Sequence, residues 1–151
     1  MLRMSKLTDY GTMVLAELAT NDHGLSTASQ VAGATHLTLP TVSKLLKSLA
    51  HSGLVVSARG AQGGYALARP AAAISAAEIL DALEGPVALT DCSSSTGSCD
   101  LESYCLVGSA WQRINHSIRK ALEGVSLADL KARRAPLPSL HGDLRKTAAT
   151  R

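Results

Sequence analysis

Cys92, Cys99 and Cys105 are the residues of this sequence best suited to chemistry, and six and then five residues separate them. Three thiols cannot all pair in disulfides. The opening Met1–Tyr10 has charge and polarity but no apolar signal core, so a cytoplasmic metal or redox role is expected. The run Asp91-Cys92-Ser93-Ser94-Ser95-Thr96-Gly97-Ser98-Cys99-Asp100 is polar, a poor setting for inert core thiols. Structural zinc commonly uses Cys-x-x-Cys knuckles, which this run lacks. Looser spacing suits a loop wrapped around a larger inorganic core, so an iron-sulfur cluster (2Fe-2S or 4Fe-4S) is favoured and zinc is the alternative. Such a cluster normally takes four protein ligands, so a fourth donor must come from outside this set. His116 lies eleven residues beyond Cys105; on one helix the two would be about 16 Å apart, too far to share a cluster within a chain.

These thiols need elements to place them. The segment Thr90–Glu102 has no period and reads as a loop, and the long helical pattern that follows, from about Ser103 to Glu123, puts Cys105 in its first turn. Its apolar residues Val107, Trp111, Ile114, Ile118, Ala121 and Val125 recur at steps of four, three, four, three and four. That seam suits packing against a second copy of the helix in a homodimer; a helix folded back on its own domain is equally compatible with the period. Ser126 and Asp129 open a last short helix ending near Lys131–Arg134.

Ahead of the cysteines, Thr8 is the expected cap of a first helix running to about Thr20. A second helix runs from Ser26 or Thr27 to about Ala34, with Thr27 and Gln30 at capping-box spacing. Thr38 is the expected cap of a third, with Pro40 in its first turn, Gly53 at its end and Val42, Leu45, Leu46 and Leu49 as its buried stripe. Leu54–Ala58 and Tyr65–Ala68 read as strands of a hairpin with a Gly-rich cationic tip, and the Ser75/Glu78 capping box opens a fourth helix, about Ala76 to Leu83. The fold class is thus mainly α with a small β-hairpin: a winged helix-turn-helix domain plus a long dimerisation helix. The expected divisions are 1–84 for the DNA-binding domain, 85–105 for the cysteine loop, 103–134 for the dimerisation and last helices, and 135–151 for a disordered basic tail.

In that order each part has a job on double-stranded DNA. The third helix would enter the major groove, offering Thr38, Thr41, Ser43 and Lys44 to bases and phosphates, with Lys47 a turn further along on phosphate. At the wing, Arg59, Gly60 and Gln62 would meet the backbone or minor groove. Charge agrees with that division. Residues 1–70 carry six Lys/Arg against three acids, 71–130 three against eight, and 131–151 six against one, within a net charge of +3. With 151 residues there is room for one domain and an accessory element. A composition of 46% hydrophobic but only 3% aromatic residues, without Phe, asks for an aliphatic helical core. No apolar run is long enough for a membrane span, and no nucleophile–base set or nucleotide loop suggests an enzyme.

The opening Met4-Ser5-Lys6-Leu7-Thr8-Asp9-Tyr10-Gly11, the stretch Leu49-Ala50-His51-Ser52-Gly53-Leu54-Val55 and the wing Arg59-Gly60-Ala61-Gln62-Gly63-Gly64-Tyr65-Ala66-Leu67 resemble the iron-sulfur transcription regulators of the IscR/NsrR (Rrf-type) family. The similarity covers residues 1 to about 130, and the opening is most similar to members that regulate SUF cluster-assembly genes. The resemblance implies a cytoplasmic homodimer, chiefly a repressor, that switches operator binding with the state of a cluster held by Cys92, Cys99 and Cys105. IscR-like members place a His three residues after the last cysteine, where this chain has Gly108. NsrR-like members supply a carboxylate from the partner subunit at the position of Asp9; by itself Asp9 is equally suited to stabilising the first helix at its N-terminus. A nitric-oxide or redox-responsive regulator on the same fold is the alternative within the family. A zinc- or thiol-based interaction protein is the alternative outside it.

Overall fold

The computed structural model describes residues 4–21, 24–60, 62–90 and 104–132. Among the described residues six helices and one hairpin follow one another: α1 (Lys6–Leu18), α2 (Ala28–Thr35), α3 (Leu39–His51), β1 (Val55–Ala58), β2 (Gly64–Leu67), a 3-10 turn at Ala71–Ala73, α4 (Ala76–Glu84), α5 (Gly108–Glu123) and α6 (Leu127–Lys131). The hairpin is antiparallel, with Val55 opposite Leu67 and Ala58 opposite Gly64. Ser26, just ahead of α2, extends the sheet through paired backbone bonds with Tyr65. The outcome is mainly α with a small β-hairpin, the fold class expected from the sequence.

Local chemistry explains most of these elements. Thr27 with Gln30, Ser75 with Glu78 and Ser126 with Asp129 all form reciprocal capping boxes, fixing the starts of α2, α4 and α6. In α3, Val42, Leu45, Leu46 and Leu49 are all buried, and they meet Val14, Leu15, Val31, Ile74 and Leu127 in one core. Each such side chain stabilises the fold by about 1.5–3 kcal/mol when fully buried.

Two starts differ from the sequence reading. α1 begins at Lys6, and its cap is Ser5, whose Oγ accepts from the backbone N–H of Leu7 and Thr8. Thr8 lies inside the first turn, buried, and its hydroxyl bonds instead to the Glu84 carboxylate, a partner 76 residues away. α5 begins at Gly108, not near Ser103. Its apolar seam starts only at Val107 and no side chain caps the helix, so nothing propagates it backwards through Cys105. Cys105 therefore precedes the helix.

The turn between α2 and α3 is closed by His36 at φ 56°, ψ 23°, the one non-glycine residue with positive φ among those described. A side chain costs energy in this left-handed conformation and glycine does not. His36 is exposed, so its replacement removes no packing. His36→Gly is expected to stabilise the protein by about 0.5–1 kcal/mol, because relief of the left-handed strain outweighs glycine's greater unfolded-state freedom. Chemical denaturation of the two proteins checks this, and a destabilised variant would refute it.

Candidate nucleic-acid interface and cysteine segment

The buried stripe of α3 turns its opposite side outward. Thr38, Lys44 and Lys47 are exposed on this side and Thr41 and Ser43 half-buried. Thr38 occupies the cap position but makes no bond to the backbone; its hydroxyl is 2.8 Å from that of Thr41. The first-turn N–H groups of α3 thus have no side-chain cap, an arrangement that accepts a phosphate oxygen well. Neither lysine is paired with a carboxylate among the described residues.

The wing tip is shaped by its glycines. Gly60 has φ 111°, and the Gly63 N–H donates to Gly60 O at 2.9 Å. A Cβ on Gly63 would stand against the Ala58 carbonyl and 2.9 Å from that of Gly60; on Gly64 it would lie 2.8 Å from Ser26 O. The turn is therefore closed to larger residues, and Arg59, Gly60 and Gln62 are held outward in solvent. Arg69 counted among the basic residues of the N-terminal block, yet it does not join this face. Its guanidinium donates to Ala73 O at 3.1 Å and to Glu78 at 2.7 Å.

Glu78 belongs to a set that sequence reasoning missed. α4 carries acids at three-residue steps, Glu78, Asp81 and Glu84, and each holds a different element. Glu78 binds Arg69 beyond β2. Asp81 receives both terminal nitrogens of Arg119 on α5, at 3.2 and 2.8 Å, and Glu84 accepts from Ser5 N at 3.0 Å and from the Thr8 hydroxyl at the head of α1. Their ionisation follows. Backbone hydrogen bonding at Ser75, helped by Arg69, holds the Glu78 carboxyl below its usual range. Thr8, then Ser5, does the same for Glu84, and hydrogen bonding to Asp81 raises Arg119. The acidic spacing was visible in the sequence; the partners, nine to 79 residues away, were not.

Of the three cysteines, Cys105 falls within the described residues; Cys92 and Cys99 lie outside them, as does the basic tail from residue 135. Cys105 is a free thiol, half-buried, three residues ahead of α5. A Cβ at Gly108 would lie 3.5 Å from its Sγ, so the glycine leaves open the space beside the sulfur that a larger residue would take. A thiol that is unbridged and partly accessible fits a ligand to an inorganic group, and so does the donor set of three sulfurs. Asp9 is exposed in the first turn of α1, and His116 is exposed on α5, two turns beyond its start. Trp111 and Ile114 are 41% and 44% exposed on that helix, whereas Ile118 is half-buried, so much of the seam stays open although α5 also packs against α4. No described helix is long and apolar enough to cross a membrane.

Residues 4–133 match the model of the Rrf2 family, described as iron-dependent transcriptional regulators. The chain belongs to the Rrf2 family. It is similar to ORF2 of Azotobacter vinelandii, described as an HTH-type transcriptional regulator, at 33% identity over 133 residues, 87% of this chain and 80% of that one. Two solved structures are also similar. CymR of B. subtilis, described as the global cysteine regulator, has a TM-score of 0.68 at 29% identity and covers 89% of this chain and 100% of its own. IscR of T. potens has a TM-score of 0.65 at 30% identity, covering 89% and 93%. Rrf2 proteins are transcriptional regulators, so this Rrf2 chain is a DNA-binding helix-turn-helix regulator and not an enzyme.

Proposed function

We propose that this Rrf2 chain is a cytoplasmic homodimeric repressor of iron-sulfur assembly genes, and that Cys92, Cys99 and Cys105 hold the cluster whose presence it reports. The observation that carries the reading is Cys105, a free, half-buried thiol three residues ahead of α5, in a sequence whose other two thiols follow α4. The exposed face of α5 supports the dimer: Trp111 and Ile114 are large apolar residues left in solvent by a single protomer. Thr38, Thr41, Ser43 and Lys44 then read the major groove, Lys47 a phosphate, and Arg59, Gly60 and Gln62 the backbone beside it. Asp9 of the partner subunit is the fourth donor; as a hard oxygen ligand it would be the one most easily displaced. A bound cluster would supply iron that reacts with oxygen and nitric oxide, and Cys92, Cys99 and Cys105 with Asp9 would be the residues that hold it.

Anaerobic purification tests this. The wild-type protein should carry iron and acid-labile sulfide, and a duplex it selects from a random library should bind the loaded and cluster-free forms with different affinity. Replacing all three cysteines with serine should remove both the iron and that difference. Asp9→Ala should change the cluster's spectrum. Unchanged iron content and affinity in the triple serine variant would overturn the proposal.

A second reading, regulation through the thiols themselves, is favoured by the structural similarity to the global cysteine regulator CymR. It predicts a colourless, iron-free wild-type protein whose DNA affinity responds to a disulfide-forming oxidant. A colourless zinc protein without DNA affinity would point outside both readings, and nitric-oxide titration of operator binding separates a nitric-oxide sensor from an assembly regulator.

A further inference from the structure

The attachment of α5 has a direction. At its C-terminal end it is fastened to the DNA-binding part by backbone bonds: Ala76 N to Val125 O and Leu127 N to Ile74 O, both 2.8 Å. Leu127 is fully buried in the core there, and the Lys131 ammonium donates to Ala19 O at the end of α1. Part-way along, Arg119 grips Asp81 with two nitrogens and holds Glu123 at 3.1 Å on its own helix. Nearer the start, the Asn115 side chain accepts from Leu89 N at 3.3 Å. Beyond that lies Cys105. The helix is a lever with its fixed end in the core and the cysteine segment at its other end. Gly108 to Arg119 spans about 16 Å at an ordinary helical rise.

The cysteine segment also joins this lever to α4, because Cys92 follows Glu84 by eight residues. α4 in turn packs against α3 and holds two more elements, Arg69 at the foot of the wing through Glu78 and the head of α1 through Glu84. On the cluster-sensing reading, whatever draws the three sulfurs together would act between the end of α4 and the start of α5, which residues 85–107 connect. The Arg119–Asp81 pair is where the two helices are joined by charge.

We propose that Arg119 is a positioning residue, the joint through which α5 passes the state of the cysteine segment to α4 and so to the wing and reader helix. This rests on the cluster-sensing reading above. Geometry matters more than strength here: the pair is about one-third exposed, and such pairs add little to stability, but two parallel bonds from a planar guanidinium fix an angle that a lysine cannot.

The test compares wild type, Arg119→Gln and Arg119→Lys, each loaded with cluster and each stripped of it by chelation. Fluorescence anisotropy on the duplex selected by the wild-type protein gives the ratio of the two affinities. In Arg119→Gln that ratio is expected to shrink toward unity by about fivefold or more, with Arg119→Lys intermediate. Iron content, melting temperature and dimer formation should stay near wild type. A ratio unchanged in Arg119→Gln, including one in which both affinities fall equally, overturns the inference and leaves the sensing function standing. A wild-type ratio of one overturns the sensing function and the inference together.

Discussion

Leu46→Ala is expected to cost about 3–5 kcal/mol of folding stability, the upper part of the range for a buried leucine truncated to alanine. Leu46 has no exposed surface in the middle of α3, and its neighbours on the stripe, Leu45 and Leu49, are equally enclosed. The cavity cannot close easily, because α3 is held between α1, α2 and α4 and leads directly into β1. A protein of this size loses about 2–4 °C of melting temperature per kcal/mol, so the midpoint should fall by about 10 °C. Thermal or urea unfolding, monitored by circular dichroism, measures it. A loss below about 1 kcal/mol would mean that the core around the reader helix is far less close-packed than the structure shows. The same substitution should weaken DNA binding, since the residue that fills the core also sets how far α3 stands from it.

The elements that were legible in the sequence are those decided locally. Thr27/Gln30, Ser75/Glu78 and Ser126/Asp129 announce helix starts because each box closes within four residues. The α3 stripe is legible for the same reason: its period is written in consecutive turns. Ser5 and Thr8 are both good caps for α1, and the choice between them is made by Glu84, whose carboxylate engages the Thr8 hydroxyl from the far end of α4. α5 starts at Gly108, later than its sequence suggests, since a polar run leading into an apolar seam does not say where the first turn closes. For the candidate site, the outward positions of Thr38, Lys44 and Lys47 follow from the inward ones of their neighbours. Of the three acids of α4 the sequence shows the spacing and, for Glu78, the capping role, but not the partners Arg69, Arg119 and Thr8, because pairings between elements leave no period in a sequence. The cysteines were the reverse case. Their chemistry was plain in residue type and spacing, and the structure adds Cys105's place ahead of α5 and the open space at Gly108.

Lys44→Ala combined with Lys47→Ala is expected to weaken operator binding about a thousandfold at ~0.1 M salt while leaving the fold intact. Both side chains are exposed and unpaired with any described carboxylate, so their removal takes nothing from the core or from an ion pair. In a dimer the double substitution deletes four ammonium groups. If each neutralises one phosphate, the slope of log affinity against log salt should become shallower by about 3–4, because each contact releases roughly 0.9 of a counterion. That slope separates the proposed roles more sharply than affinity alone. Loss of a phosphate contact lowers binding to every sequence alike, whereas Thr41→Ala, if Thr41 touches a base edge, should relax selection at one position and barely change the slope. Titrations of the selected duplex and of a scrambled one between about 50 and 200 mM salt give both quantities. A double variant that keeps the wild-type slope would show that these lysines do not face the phosphates. The reader helix would then have to meet DNA through another side, although its opposite side is already committed to the core by Val42, Leu45, Leu46 and Leu49.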